Sequence, residues 1–316
     1  MEIESIKEEE QGVKLKLVFG TLFLIVVIGL LTVYWIVPRE SLVNLINSDG
    51  EFLSCSNYEF GNESNIQFYE NMRYLDSNIS YRIDACPIQK EIEMRHAFYE
   101  VQNKTALSFY QVSNGEEITV TCDSKNRIEN GMFIAGEGGP SNITKAGSTH
   151  IILNGKVLLI KESTCERPVV AIHELFHALG FTHSNNVCNI MYNFSKCSQG
   201  IGNDMIELVD DIYSYSPLPD LKIENLTGEF HERYLDLNFS IKNIGLLNSE
   251  DFFIDIYSNK KLSKKVDIKK IEVGGGAEIV LKNVDVEMNV KDVYVAIIYN
   301  FEELNKSNNN AYLSFS

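Results

Sequence analysis

Three histidines and one glutamate, closely spaced near the middle of the chain, could bind a metal ion and activate water. Residues 173–183 read HELFHALGFTH, which is H-E-x-x-H followed by x-x-G-x-x-H. Positions four apart on a helix stand one turn above each other, so His173 and His177 can direct imidazole nitrogens at one ion about 2 Å away. Gly180 permits the backbone to reverse without a Cβ penalty, so His183 can approach the same ion from another direction.

This ligand set leaves a coordination position open for water. Three neutral nitrogens plus water describe a catalytic zinc site, whereas a structural site is usually closed by four protein ligands rich in cysteine. Glu174 follows the first ligand by one residue, about a hundred degrees around the helix, so it lies beside the ion without having to bind it. It is the candidate general base for the attack of water on a carbonyl. The motif therefore predicts a hydrolase with one catalytic Zn²⁺.

The helix that must carry the motif has a start signal and a stop signal. Pro168 suits the first helical position, where its missing N–H costs nothing, and Gly180 suits the residue just past the end. Apolar residues recur between them at intervals of three and four: Val169, Ile172, Phe176 and Leu179. This spacing predicts a buried stripe, with the first two histidines on a different face.

Further elements are predicted on both sides of this helix. Alternation and apolar runs favour strands at 79–84, 106–112, 117–122 and 149–154, and helices at 88–102 and 204–215. Asn203 is predicted to be the N-cap of the last helix. The glycine-rich stretch 136–139 is followed by no helix and no lysine of a phosphate-binding loop, so it is predicted to be an ordinary loop.

The motif and its surroundings resemble the metzincin clan of zinc metalloproteases, and within it the matrixins. After His183 come Ser184, six further residues and Met191-Tyr192, similar to the matrixin H-S and Met-turn. Upstream, residues 78–84, 97–98 and 105–109 resemble the opening strand, the helix and the second strand of that family. The resemblance covers about 71–216. It implies an α+β domain with a twisted mixed sheet and long helices, a catalytic zinc at the active-site helix, and Met191 as an apolar floor beneath the metal.

Some family features do not carry over. Asn193 stands where matrixins usually have proline. The other histidines, His96, His150 and His231, are too few and too scattered to imply a second, structural zinc, and calcium sites cannot be transferred. A propeptide cysteine that blocks the zinc is not recognisable, because Cys86-Pro87 lies after the first strand.

After Pro217 the sequence becomes β-like, with alternating apolar residues at 235–241, 252–256 and 293–299. About seven strands fit in residues 217–316, which is typical of an immunoglobulin-like sandwich. The segment also resembles CARDB adhesion modules, in which an acidic stretch and an Asn-rich turn precede the last strand, as at Glu302, Glu303 and 308–310. An all-β domain with a surface-binding partner is expected here.

Residues 17–37 contain no charge and are about as long as a helix that crosses a bilayer. They predict a single transmembrane anchor, with residues 1–16 as a cytoplasmic tail and 38–70 as a stalk. Lys14 and Lys16 precede the span against a single Arg39 after it, which favours a cytoplasmic N-terminus.

All six cysteines and eight N-x-[ST] sequons follow the predicted anchor. Both features favour an oxidising, extracytoplasmic and glycosylating environment with disulfide bonds. Six cysteines allow fifteen pairings, and locality suggests only Cys188 with Cys197.

The net charge of the chain argues against one class of function. A formal net charge of -16 and a pI near 4.9 argue against nucleic-acid binding, which needs clustered Lys and Arg. We therefore predict a membrane-anchored, extracytoplasmic zinc metalloendopeptidase that acts on proteins or peptides. The alternative is a catalytically inactive, zinc-binding adhesion protein of the cell surface, in which the β-sandwich does the binding.

Overall fold

The computed structural model describes Cys55 and residues 66–125, 127–129, 132–287 and 289–315. The predicted tail, the predicted span and most of the predicted stalk lie outside these residues. Within the described ranges, no helix is both long enough and apolar enough to cross a membrane.

The first domain combines a mixed sheet with three helices. Its elements are β1 (Met72–Tyr74), β2 (Asn78–Asp84), α1 (Ile88–Gln102), β3 (Ser108–Gln111), β4 (Ile118–Cys122), β5 (Arg127–Glu129), β6 (Met132–Ile134), β7 (Gly136–Ala146), β8 (Thr149–Leu159), α2 (Val169–Ala178) and α3 (Asn203–Ile212). The main sheet has the order β1-β8-β4-β2-β3, and β7 pairs with the other edge of β8. Only β7 runs antiparallel to its neighbour, so the sheet is mixed, as predicted.

The core of this domain lies between the sheet and helices α1 and α2. The α1 helix spans the predicted residues and buries Met94, Phe98 and Val101 at intervals of three and four, which is the spacing of one helical face. All ten residues of α2 are buried, including both histidines. A stripe was predicted, but the helix is covered all round, because the sheet lies on one side and the segment that carries Ile190 and Met191 packs against it too.

The glycine-rich stretch 136–139 opens strand β7, so the prediction of a loop is wrong. Glycine has a low preference for strands because it has no side chain to pack. Here its small size is required, since a Cβ built on Gly138 would lie 2.1 Å from the carbonyl oxygen of Glu174. Pairing with β8 makes this stretch a strand, and the close approach of α2 requires glycine in it; local sequence encodes neither contact.

The described cysteines form three disulfides: Cys55–Cys188, Cys86–Cys122 and Cys165–Cys197. The predicted Cys188–Cys197 bond is therefore wrong. Cys188 is fully buried, whereas Cys197 lies at the surface and is bonded to Cys165, shortly before the start of α2. Each of these two cysteines bonds to a residue far from it along the chain, so closeness in sequence does not decide the pairing.

The second domain is a β-sandwich of seven strands among the described residues. They are β9 (Leu221–His231), β10 (Tyr234–Asn243), β11 (Phe252–Ser258), β12 (Lys261–Ile268), β13 (Gly276–Asp285), β14 (Asp292–Ile298) and β15 (Asn310–Ser314). One sheet has the order β13-β10-β9 and the other β12-β11-β14-β15. Alternate residues such as Leu237, Phe239, Ile254 and Val295 point inward and form the core, which confirms the predicted all-β domain.

The two domains meet at the turn between β7 and β8. Ala146 and Ile151 of the first domain form an apolar cluster with Leu246 of the second. Glycines permit the close approach. A Cβ on Gly274, whose φ is +70°, would lie 2.6 Å from Oγ1 of Thr144. The hairpin that starts beside helix α2 thus ends against the β-sandwich.

Candidate metal centre

Three imidazole rings converge at the surface of helix α2. Nε2 of His177 lies 3.0 Å from Nε2 of His173 and 3.2 Å from Nε2 of His183. His173 and His177 are buried, while His183 is exposed. Within the described ranges, this is the single group of three or more His, Cys, Asp or Glu residues placed to hold a metal ion.

Backbone carbonyls fix the tautomers of the two buried rings. Nδ1 of His173 donates to the carbonyl oxygen of Ile190 at 2.6 Å, and Nδ1 of His177 donates to that of Phe181 at 2.8 Å. A carbonyl can only accept, so Nδ1 carries the proton and the Nε2 lone pair is free to bind a metal.

The distances fit a tetrahedral zinc ion. Facing lone pairs at 3.0 and 3.2 Å repel each other unless a cation lies between them. Zn–N bonds of about 2.0–2.1 Å in a tetrahedron put neighbouring nitrogens about 3.3 Å apart. His173, His177 and His183 would hold the ion and leave its fourth position open.

Burial keeps the three histidine rings in the neutral form that binds metal. Loss of solvation lowers the pKa of His173 and of His177 to about 4, and each ring is also affected by a neighbouring histidine. Burial also lowers the pKa of His183. All three imidazoles are therefore neutral at pH 7, the form that binds metal.

Glu174 faces the same cleft from the next position on the helix. Its side chain lies against β7, since a Cβ on Gly136 would be 2.9 Å from Oε1 of Glu174. Burial raises its pKa to about 8, and the charge of Glu137 adds to the effect. A divalent cation nearby would favour the charged carboxylate and bring this pKa down.

The chain after the helix reverses and returns to contact the first histidine through the carbonyl oxygen of Ile190. Gly180 has a φ of +97°, and a Cβ there would lie 2.7 Å from Sδ of Met72. Met191 is 1% exposed, and its carbonyl oxygen accepts from the backbone N–H of Ser184 at 2.9 Å. Because Ile190 accepts from His173, the turn at Met191 supports both the first ligand and the residue after the third.

Sequence reasoning missed a contribution from residues 66–70, which it assigned to the stalk. The Phe68 ring stacks on His177, with centroids 5.9 Å apart. Backbone bonds from Phe68 to Gly180 and from Thr182 to Ile66 hold this segment against the end of the helix. No periodic pattern marks these residues in the sequence. The one signal that could have attached this part of the chain to the domain is Cys55, which is bonded to Cys188.

The cleft beside the rings has a volume of about 730 Å³. It is lined by the three histidines, Glu174 and further residues that the motif does not reveal: Ile134, Gly136, Gly138, Lys161 and Phe194. The other described histidines lie elsewhere. His150 stacks on Tyr69, and His231 lies 3.7 Å from Asp236.

Residues 73–214 match the family model of the M10 peptidases described as Matrixin. This segment is a matrixin domain. The family is one of metallopeptidases and implies zinc, in agreement with the geometry of the three histidines. Residues 218–312, which follow the matrixin domain, match the CARDB family model.

Several solved structures are similar to the CARDB domain. A crystal structure of a CARDB domain from Pyrococcus furiosus, in complex with di-metal ions, has 18% identity and a TM-score of 0.28, and the match covers 31% of this chain and 88% of that one. A solution structure of a domain of a putative cell surface protein from Methanosarcina acetivorans has 17% identity and a TM-score of 0.28, covering 31% and 91%. A search of curated proteins gives no significant match.

Proposed function

We propose that the chain is a zinc-dependent endopeptidase whose matrixin domain hydrolyses peptide bonds, with Glu174 as the general base. The observation that carries the proposal is the convergence of three Nε2 atoms, 3.0 and 3.2 Å apart, in the cleft that Glu174 also lines. Bound zinc would supply Lewis acidity toward the substrate carbonyl and toward water.

The protein groups have separate tasks in this reaction. His173 and His177 keep their metal-binding nitrogens directed at one point, because the carbonyls of Ile190 and Phe181 hold their rings. Glu174 takes the proton from the attacking water and delivers it to the leaving amine. Its position favours this role, since it lines the same cleft as the three histidines and follows the first ligand by one residue.

Strand β7 supports an extended peptide as the substrate. In the described part of the chain it pairs with β8 alone, so its other edge is open beside the cleft. An extended peptide can add to such an edge through backbone hydrogen bonds, which depend little on sequence. Phe194, 46% exposed at the cleft wall, favours an apolar substrate side chain at that point.

The proposed site of action is outside the cytoplasm, with residues 17–37 as the membrane anchor and the N-terminus inside. All six cysteines of the chain are paired, and such pairing is typical of proteins exposed to an oxidising compartment. One of these bonds, Cys55–Cys188, would join the anchor side of the chain to the matrixin domain.

Replacing Glu174 with glutamine tests the proposal. The Glu174→Gln variant should bind zinc at the same stoichiometry, measured by elemental analysis, yet lose cleavage of a denatured protein substrate. The exposed Glu166→Gln is a matched control that should keep full activity. Unchanged cleavage by Glu174→Gln would overturn the assigned base.

A broad peptide library distinguishes the peptidase from the remaining alternative, a catalytically inactive surface-binding protein. If the wild-type chain binds one zinc ion but cleaves no member of the library, the inactive surface-binding function replaces the peptidase.

A further inference from the structure

Residues 193–195 form one wall of the cleft beside the three histidines. They belong to no helix or strand, so no regular ladder of hydrogen bonds fixes their backbone. The exposed ring of Phe194 lies 6.0 Å from that of Tyr192, centroid to centroid, and so is only loosely packed against it. The position of this ring in the cleft therefore depends on how the backbone of Phe194 is held.

A buried amide side chain holds this cleft wall. Gln199 is 1% exposed. Its Nε2 donates to the carbonyl oxygen of Phe194 at 2.8 Å and to that of Val187 at 3.2 Å. Its Oε1 accepts from the backbone N–H of Lys196 at 2.8 Å. Both N–H groups and the oxygen of the amide are thus used, and two of the three bonds go to the wall or to the residue after it.

The backbone around Gln199 is fixed relative to the metal centre. The N–H of Ile190 donates to the carbonyl oxygen of Gly200 at 2.7 Å, and the carbonyl oxygen of Ile190 accepts from His173. On the other side, the guanidinium of Arg167 donates to the carbonyl oxygen of Gln199 at 2.6 Å. The amide therefore connects a backbone that is tied to the first histidine with the wall that carries Phe194.

Core filling alone does not account for an amide at this position. An apolar side chain of the same length would fill the space without the cost of removing polar atoms from water. The bond between Cys165 and Cys197 also attaches this part of the chain, but it acts three residues after Phe194. The hydrogen bond from Gln199 acts on Phe194 itself.

We propose that Gln199 is a positioning residue for substrate selection. By fixing the backbone of Phe194 it sets which substrate side chain the cleft wall accepts beside the metal centre. The inference rests on the proposed function, since it assumes peptide substrates. Without these bonds an apolar side chain of the substrate no longer meets a ring in a fixed place, so the preference for it falls. The metal site persists, because other contacts hold its histidines.

Peptide binding to the full-length, zinc-loaded Glu174→Gln chain tests the proposal without cleavage. Labelled peptides that carry leucine or alanine at one position at a time are titrated by fluorescence anisotropy, and the ratio of the two affinities is measured at each position. Phe194→Ala identifies the position that the wall contacts, because the ratio falls there. Gln199→Met, similar in size but without the hydrogen bonds, should lower the ratio at that same position roughly three- to tenfold and keep the zinc stoichiometry.

Asn243→Leu is the matched control. Asn243 is fully buried in the CARDB domain, and its Nδ2 donates to the carbonyl oxygens of Leu247 and Ile271 at 2.8 and 3.1 Å. Its loss should lower the stability of the fold, measured by urea unfolding, yet leave every ratio unchanged. If Gln199→Met does not fold, Gln199→Asn replaces it, because its amide is one methylene too short to keep all three bonds; it should lower the same ratio.

The inference is overturned if no peptide binds, if Phe194→Ala changes no ratio, or if the Gln199 variant keeps the wild-type ratio at the position that Phe194 contacts. It is also overturned if the Gln199 variant lowers the ratios at all positions alike, which is the result of a purely structural role. A wild-type chain that binds peptides selectively but cleaves none would refute the peptidase and leave this inference standing, so the two failures are distinct.

Discussion

Replacing Glu174 with glutamine should stabilise the metal-free protein, and the gain should grow with pH. In the folded chain burial raises the pKa of Glu174 from 4.5 to about 8. Between these two values the folded state holds a proton that the unfolded state has released. Raising the pH therefore favours unfolding of the wild type, and glutamine, which does not ionise, removes this penalty.

The size of the effect follows from the two pKa values. With 1.36 kcal/mol per pKa unit, the ionisable carboxyl destabilises the folded state by about 0.8 kcal/mol at pH 5, about 3.4 kcal/mol at pH 7 and about 4.4 kcal/mol at pH 8. The difference in the free energy of unfolding between Glu174→Gln and wild type should thus increase by about 2.5 kcal/mol from pH 5 to pH 7. Other titrating groups are common to both proteins and cancel.

Urea unfolding followed by circular dichroism, with a chelator present, measures this difference at each pH. The exposed Glu166→Gln should show no such trend with pH. Zinc gives a second control, because a cation beside the carboxylate lowers its pKa and should shrink the difference. A difference that stays constant with pH, or that is equally large in the zinc-loaded protein, would refute the buried, cation-sensitive environment assigned to Glu174.

Three further predictions concern the same site. Gly138→Ala should lower the stability of the fold and reduce the rate of cleavage at least about tenfold, because its Cβ would lie 2.1 Å from a backbone oxygen of α2. Gly139→Ala is the control, and it should behave as wild type in the same assays because its Cβ would meet open space. Gly180→Ala should lower the unfolding temperature, by several degrees for a cost of about 1–2 kcal/mol, since alanine is strained at a φ of +97°. Zinc should stay bound as the pH falls below 6 and be released only at about pH 4 or lower, because His173 and His177 take up protons there and the bound cation competes with those protons. Release near pH 6, followed with a chromogenic chelator, would contradict their lowered pKa values.

The last prediction differs from the one that the sequence alone supports. An ordinary histidine has a pKa near 6.5, so the motif by itself predicts loss of zinc and activity below about pH 6. Burial of the rings between α2 and the returning chain lowers the expected pH of zinc release. Depth within the fold is a property of the whole domain, and ligand spacing does not encode it.

The fold class was largely predictable where periodic patterns are strong. Helix α1 occupies the predicted residues, and the strands of the CARDB domain follow the alternation of apolar residues. Predictions failed where distant parts of the chain meet. The start of β7 resembles a loop locally, yet pairing with β8 makes it a strand, and Cys188 bonds to Cys55 across a sequence separation of 133 residues.

What the sequence alone determined is the local chemistry: the spacing of His173, Glu174 and His177 on one helix, with a glycine before His183. Those relations follow from helical geometry within about three turns of chain, so no knowledge of distant residues is needed. The tertiary structure decided what surrounds them: the glycine strand against Glu174, the carbonyls that set the tautomers, and Phe68 against His177. These contacts join segments far apart along the chain, and only close packing of the folded domain specifies them.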